Sequence, residues 1–234
     1  MTRRILVTRP EPGASATAER LKAMGFSPVV LPLTRIVPAP PSDPGPCDAV
    51  AATSANALRH APKALLAALE EKPLFAVGEA TAEAARQAGF RAAHAAAGTA
   101  ADLAALIASA LPPGARILHL AGRDRTAGFG EELRRLGFGI EVAETYRAEE
   151  VSYSTDFLSR ALETGPLWGA LVFSTRGGAL LAKIEMREEA KEALEGARFF
   201  CISAKAAAPY AGRRIAVAAA PTEEAVLALL SSQG

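Results

Sequence analysis

Hydroxyls, amides and arginines recur in this chain at one kind of place, where a short apolar run stops and the next segment begins. Thr8 and Arg9 follow Ile5–Val7, and Ser54 and Asn56 follow Ala49–Ala52. Gly78 and Thr81 follow Leu74–Val77, and Gly122 and Arg123 follow Ile117–Leu120. Ser174, Thr175 and Arg176 follow Ala170–Phe173, and Ser203 follows Phe199–Ile202. In an open α/β sheet the carboxyl ends of the strands are the ligand edge. Helix starts at that edge offer free N–H groups and partial positive charge to a carboxylate or phosphate. A single Ser or Thr there is ordinarily an N-cap. Its recurrence along the chain argues for a ligand as well.

The usual catalytic signatures are missing. No dinucleotide or P-loop glycine fingerprint occurs, and no G-x-S-x-G elbow. The stretch from Gly122 to Gly130 is glycine-rich but fits neither phosphate pattern. His119 sits inside an apolar strand and His60 in an Ala/Leu helix, so each reads as a partnered structural histidine. No His, Cys, Asp or Glu pair has the spacing of metal ligands, which disfavours a metal site.

The elements that must position these groups alternate in type. The apolar runs above, with Val29–Leu31 and Ile215–Ala218, lack a strict polar alternation, as expected of strands buried on both faces. Helical segments are predicted over Ser15–Met24, Ala55–Leu69, Thr81–Ala88, Ala100–Leu111, Gly130–Leu136 and Glu223–Leu230. Such alternation argues for α/β architecture with parallel sheets covered by helices. Gly25 and Gly137 stand where left-handed helix caps need glycine. Thr99 before Asp102, and Thr222 before Glu223 and Glu224, stand where N-caps belong.

Part of the chain is said twice. Arg4-Ile5-Leu6 returns as Arg116-Ile117-Leu118, and Leu21, Gly25 and Phe26 return as Leu133, Gly137 and Phe138. Ala49–Ser54 resembles Ala170–Thr175, and Ala95–Thr99 resembles Ala218–Thr222. The copies are not consecutive, so the second lobe is expected as an insertion in the first. Residues 1–34 with 152–234 would form lobe one and 40–144 lobe two. Residues 35–39 and 145–151 would link them, the first link lying in a proline-rich stretch from Pro32 to Pro46. Two lobes imply a small-molecule cleft and a hinge that opens and closes.

Composition excludes several classes. The chain has 234 residues, half of them hydrophobic, and a net charge of +1. No global field draws in nucleic acid or an anionic membrane. Cys47 and Cys201 are too few for a disulfide framework. The N-terminal apolar run is too short for a signal peptide, and no segment approaches the length of a membrane span. A cytoplasmic protein is expected, and a monomer, since the internal copies supply two lobes in one chain.

Several of these motifs together resemble the uroporphyrinogen-III synthase family. They are Thr8-Arg9-Pro10, Thr53-Ser54-Ala55-Asn56-Ala57 after an Asp-headed strand, and Val77-Gly78-Glu79-Ala80-Thr81-Ala82. Val142–Arg147, Phe173-Ser174-Thr175-Arg176 and the Pro-Thr-Glu-Glu start of the last helix complete the set. The resemblance runs in order from Ile5 to Leu230. It implies two flavodoxin-like lobes joined by a two-stranded linker, the first lobe discontinuous. It also implies closure of hydroxymethylbilane, a linear tetrapyrrole, with loss of water and inversion of the last ring, and no cofactor. Substrate carboxylates would be held by backbone amides and hydroxyls, and transient contact with the preceding pathway enzyme is possible. The family's tyrosine falls on Tyr146, as general acid or hydrogen-bond donor; a packed linker aromatic is the plainer alternative. Thr81 falls on a substrate-contacting threonine, whereas the other lobe has Ala206, with Ser203 and Lys205 nearby. A two-lobed binding protein without catalysis, or a flavin carrier, would share the same lobe logic.

Overall fold

The computed structural model describes residues 2–39, 41, 44–125, 128–163 and 165–231. In chain order, β1 (Arg4–Val7), α1 (Gly13–Ala23), β2 (Ser27–Val30) and β3 (Thr34–Pro38) come first. Then follow β4 (Ala49–Ala52), α2 (Ala55–Arg59), α3 (Lys63–Leu69), β5 (Leu74–Ala76), α4 (Glu79–Gln87) and β6 (Ala93–Ala95). Next are α5 (Ala100–Ala110), β7 (Arg116–Gly122), α6 (Gly128–Arg135) and β8 (Gly139–Glu150). The remainder is α7 (Thr155–Leu162), β9 (Gly169–Val172), α8 (Thr175–Glu185), α9 (Glu188–Leu194), β10 (Arg198–Cys201), α10 (Ala204–Ala207), β11 (Arg214–Val217) and α11 (Glu223–Ser231).

The chain divides into two compact units. Met1–Arg35 and Glu149–Gly234 make the first, and Ile36–Ala148 the second. Unit one holds a parallel sheet in the order β2-β1-β9-β10-β11. Unit two holds β8-β7-β4-β5-β6, also parallel, with β3 added beside β8. The Leu33–Val151 and Ala39–Thr145 backbone bonds run in opposite chain senses, so β3 is antiparallel to β8.

The strands read as apolar without polar alternation because both faces of each sheet are covered. In unit one Ile5, Val7 and Leu171 face one cluster, while Leu6, Ala170 and Val172 face the other. In unit two Val50, Ala52, Leu74 and Leu118 face one cluster, and Ala49, Ala51, Phe75 and Ile117 the other. Side chains alternate with a period of two, but both sides are hydrocarbon.

The repeat is visible as sheet order. β7 copies β1 and β8 copies β2, so the orders β2-β1-β9 and β8-β7-β4 superpose copy on copy. Both units are therefore the same five-strand arrangement, entered by the chain at different strands. Register shifts the sequence alignment by one residue in its later stretches. Leu6 pairs with Ala170 and Leu118 with Val50, so Ala170 corresponds to Val50, not to Ala49. The matching caps are then Ser54 and Ser174, one residue off the alignment by residue type.

Some elements differ from expectation. The helix predicted over Ala55–Leu69 breaks into α2 and α3, because Pro62 holds an extended ψ of 134° and supplies no donor. Helices α7 to α10 fall in segments for which no helix was predicted. Gly25 and Gly137 do adopt φ of 84° and 88° after their helices. Thr99 and Asp102 form a reciprocal capping box. Trp168 stacks between Phe26 and Phe200, at 5.8 and 5.4 Å, and so anchors the end of a strand.

The tightest helix contact predicts a stability effect. A Cβ at Gly178 of α8 would stand 2.5 Å from the Ala206 carbonyl oxygen and 3.3 Å from Val172 Cγ1. The Gly178 carbonyl also accepts the Tyr210 hydroxyl at 2.7 Å. Gly178→Ala is expected to destabilise unit one by about 2 kcal/mol through overpacking, read by urea denaturation. An unchanged midpoint would mean that α10 backs away at no cost.

Candidate functional site

The groups singled out by spacing all fall at or just beyond the carboxyl ends of strands. In unit one these are β1, β9 and β10; in unit two they are β4, β5 and β7. Sheet order reverses direction at β1 in the first unit and, copy for copy, at β7 in the second. Such switch points open a crevice at the strand ends.

Three serines play the same local part. Ser54 accepts from the Asn56 N–H at 3.2 Å, Ser174 from Gly177 at 2.9 Å and Ser203 from Ala206 at 3.3 Å. Each is extended and heads a helix. A hydroxyl carries two lone pairs and one proton, so a capping serine still has its O–H to donate. Capping and ligand binding are compatible at these positions. Gly78 heads α4 without a side chain, and Thr81 is buried one turn in. The register places Ala206 at the position equivalent to Thr81 and Ser203 at that of Gly78. Hydroxyls thus occupy complementary positions in the two copies.

Two early candidates are engaged within unit one. The Thr8 hydroxyl donates to the Leu171 carbonyl at 3.1 Å and is buried. The Arg9 guanidinium lies over the Phe173 ring and donates to Glu223 at 3.0 Å, while the Thr17 hydroxyl donates to the same carboxylate at 2.6 Å. Arg9 therefore already has a counter-ion. Thr175 and Arg176 are exposed at the start of α8.

Tyr146 is set by backbone geometry in unit two. Ala121 pairs with Glu144 and Gly122 with Tyr146, so Thr145 is an extra residue in β8. Such a bulge re-aims the side chains beside it. Thr145 is fully buried and donates to the Ala57 carbonyl of α2 at 2.7 Å. The next side chain, Tyr146, packs against the cluster on that same face. Its ring centroid is 6.2 Å from that of His60, the C-cap of α2. Glu144, two residues before Tyr146, instead meets Arg123 and Arg125.

Gly122 makes the ring's seat. A Cβ there would stand 2.6 Å from Tyr146 Cζ and 2.9 Å from its hydroxyl oxygen. The phenol lies against bare backbone, and among the described residues its hydroxyl makes no hydrogen bond. The Arg123 N–H donates to the Tyr146 carbonyl at 2.9 Å and fixes the strand on the far side of the bulge. Burial, then the charge of Arg59, pushes the His60 imidazole below its ordinary value, toward the neutral form beside Tyr146.

His119 has a structural role. Its Nε2 lies 3.1 Å from the Thr53 hydroxyl and its ring meets Phe129 edge-on. Burial, with a smaller contribution from Arg125, pushes it down to about 4. It is therefore neutral near pH 7. Among the described residues no group of His, Cys, Asp and Glu could hold a metal, and no helix is long and apolar enough to cross a membrane.

Spacing did not reveal His60, Arg125 or Glu144 as neighbours of the strand ends. His60 reads from spacing as a partnered structural histidine within a helix, and the bulge brings Tyr146 to it. Comparison with known proteins adds an independent line. The family model described as Uroporphyrinogen-III synthase HemD matches residues 15–230. Among solved structures, a uroporphyrinogen-III synthetase from Helicobacter pylori is 18% identical with a TM-score of 0.66, over 100% of both chains. A mutant uroporphyrinogen III synthase from Thermus thermophilus is 15% identical with a TM-score of 0.53, over 99% of this chain and 98% of that one. At such identities the likeness is one of fold. A search of curated proteins gives no match.

Proposed function

Because the chain belongs to the uroporphyrinogen-III synthase family, we propose that Tyr146 donates the proton that lets the substrate hydroxyl depart as water. The reaction is established by the family: a lyase closes hydroxymethylbilane to uroporphyrinogen III with inversion of ring D, in porphyrin and haem biosynthesis. The C–O bond of the hydroxymethyl group breaks and its electrons leave with the oxygen, which takes a proton to become water. The azafulvene-like cation left behind is attacked by the ring D carbon that already carries the bridge to ring C. That older bond then breaks, and the methylene cation it releases on ring C is captured by the free α-carbon of ring D, which gives up its proton and so restores the phenol. A phenol with a free O–H can serve as the first proton donor.

One observation carries the assignment. The Tyr146 hydroxyl rests on bare backbone at Gly122, at the carboxyl end of β7, without a partner among the described residues. The remaining groups bind and orient. The O–H groups of Ser54, Ser174 and Ser203, the Thr81 hydroxyl and the N–H groups around Asn56, Gly78, Thr175 and Arg176 suit the substrate's carboxylates. Gly122 and Arg123 complete that set beside the phenol, while Thr8 and Arg9 shape the end of β1. Distributed dipoles also suit a developing cation and its leaving group better than one strong nucleophile does. Holding the two ends of the bilane together supplies the rest, as a proximity effect.

The protein would act as a cytoplasmic monomer, taking its substrate from the preceding enzyme of the pathway. The decisive experiment supplies hydroxymethylbilane, oxidises the products and separates the uroporphyrin isomers. The type III isomer should dominate. A product mixture equal to the enzyme-free control would refute the synthase reading.

A further inference from the structure

A pocket opens in unit two, at the same strand ends as Tyr146 but beside His119 and Gly130. It is about 270 Å³ and is lined by Arg123, Arg125, Arg134, Val142 and Glu144. At roughly 30 Å³ per liquid water this is room for a short carboxylate arm. Three guanidiniums face one carboxylate there. Glu144 is shared, its Oε2 accepting from Arg123 Nε at 3.2 Å and its Oε1 from Arg125 at 2.8 Å. Arg125 also donates to the Gly122 carbonyl at 3.1 Å, which fixes its guanidinium. Arg134 is exposed on α6 and makes no ion pair with a described residue, so the pocket retains uncompensated positive charge. His119 adds none near pH 7, being held neutral by burial.

Glu144 stays charged, since its hydrogen bonds to Arg125 and Arg123 hold it below the usual carboxylate range. It organises two of the arginines and leaves the third for a ligand. Guanidinium pairs with carboxylates through parallel hydrogen bonds, which suits it to a carboxylate arm.

We propose that the pocket of Arg123, Arg125 and Arg134 binds one carboxylate arm of the tetrapyrrole, with Arg134 as its principal contact. This inference rests on the synthase reading and adds a substrate subsite to it. Arg134 is a binding residue whose loss weakens substrate capture more than it slows turnover.

The test compares wild type with Arg134→Gln and Arg134→Lys, using hydroxymethylbilane as substrate and uroporphyrin III as a stable ligand. Arg134→Gln should raise KM about tenfold, the loss of one charged hydrogen bond, with kcat within about twofold. The uroporphyrin III Kd should rise in step, and Arg134→Lys should restore part of both. Inorganic phosphate should compete with uroporphyrin III in wild type and less in Arg134→Gln. An unchanged KM and Kd in Arg134→Gln, at an unchanged melting temperature, overturns the subsite. Competition by phosphate with no change in KM assigns the pocket to free oxyanions and likewise overturns it. Absence of type III product from wild type is a separate failure, that of the synthase reading itself.

Discussion

Tyr146→Phe should lower kcat on the order of a hundredfold, the small end of what a positioned proton donor contributes. KM should stay within about twofold, since only the hydroxyl is removed and the ring still packs against its cluster. The type III isomer should still dominate the residual product, because orientation is supplied by other groups. A wild-type rate removes the acid role and leaves Tyr146 a packing residue. Complete loss in a folded variant would contradict the distributed picture. Gly122→Ala is the companion change: it keeps the hydroxyl but puts a Cβ 2.6 Å from Tyr146 Cζ, so the ring must move. Its kcat should fall in the same direction. A kcat matching wild type would show that the seat does not position the phenol.

Lowering the pH from about 6.5 to 4 should cost unit two roughly 3 kcal/mol through His119 alone. The imidazole titrates near its ordinary value of 6.5 when unfolded and near 4 when folded. Well above pH 6.5 it is neutral in both states and has no effect on the pH slope. As pH falls, the unfolded chain takes up the proton first, so stability drains away until the folded value is passed. Urea denaturation at pH 7, 5.5 and 4.5 reads this slope. His119→Gln should flatten it across that window while lowering stability at pH 7. Parallel profiles for the two proteins would show that His119 does not set the acid limit. The ion-paired carboxylates of unit two, Asp48, Glu132 and Glu144, are held below their ordinary range, so their losses begin only as the pH falls into that ordinary carboxylate range and run on below it.

Much of the architecture was legible because its causes are local. Gly25 and Gly137, Thr99 with Asp102, and uninterrupted apolar runs such as Ile5–Val7 each announce one element and its limits. The serine caps were legible as well, since a hydroxyl at a strand-to-helix step has a local task. The seat of Tyr146 was not. It depends on Thr145 being surplus in a pairing between residues more than twenty positions apart, and single-residue propensity carries no trace of that. Gly122 looked like part of a glycine-rich loop, whereas its lack of a side chain serves the ring opposite. Arg9 was legible as a cation but not as one already held by Glu223, a partner near the other end of the chain. The break at Pro62 was readable in principle, since proline ends a helix on steric grounds.

The order of the strands also bears on how the chain comes off the ribosome. β1 and β2 are made first, yet the strand that flanks β1 on its other side, β9, begins only at Gly169. Until then the two strands lack the middle of their sheet, and two strands alone are marginal in water. Unit two is continuous in sequence, so it can fold while the opening segment waits. The nascent amino-terminal segment is thus the part in need of protection during synthesis. The Arg35–Glu149 pair at 2.9 Å and the Leu33–Val151 bond close the gap only after the insertion is complete.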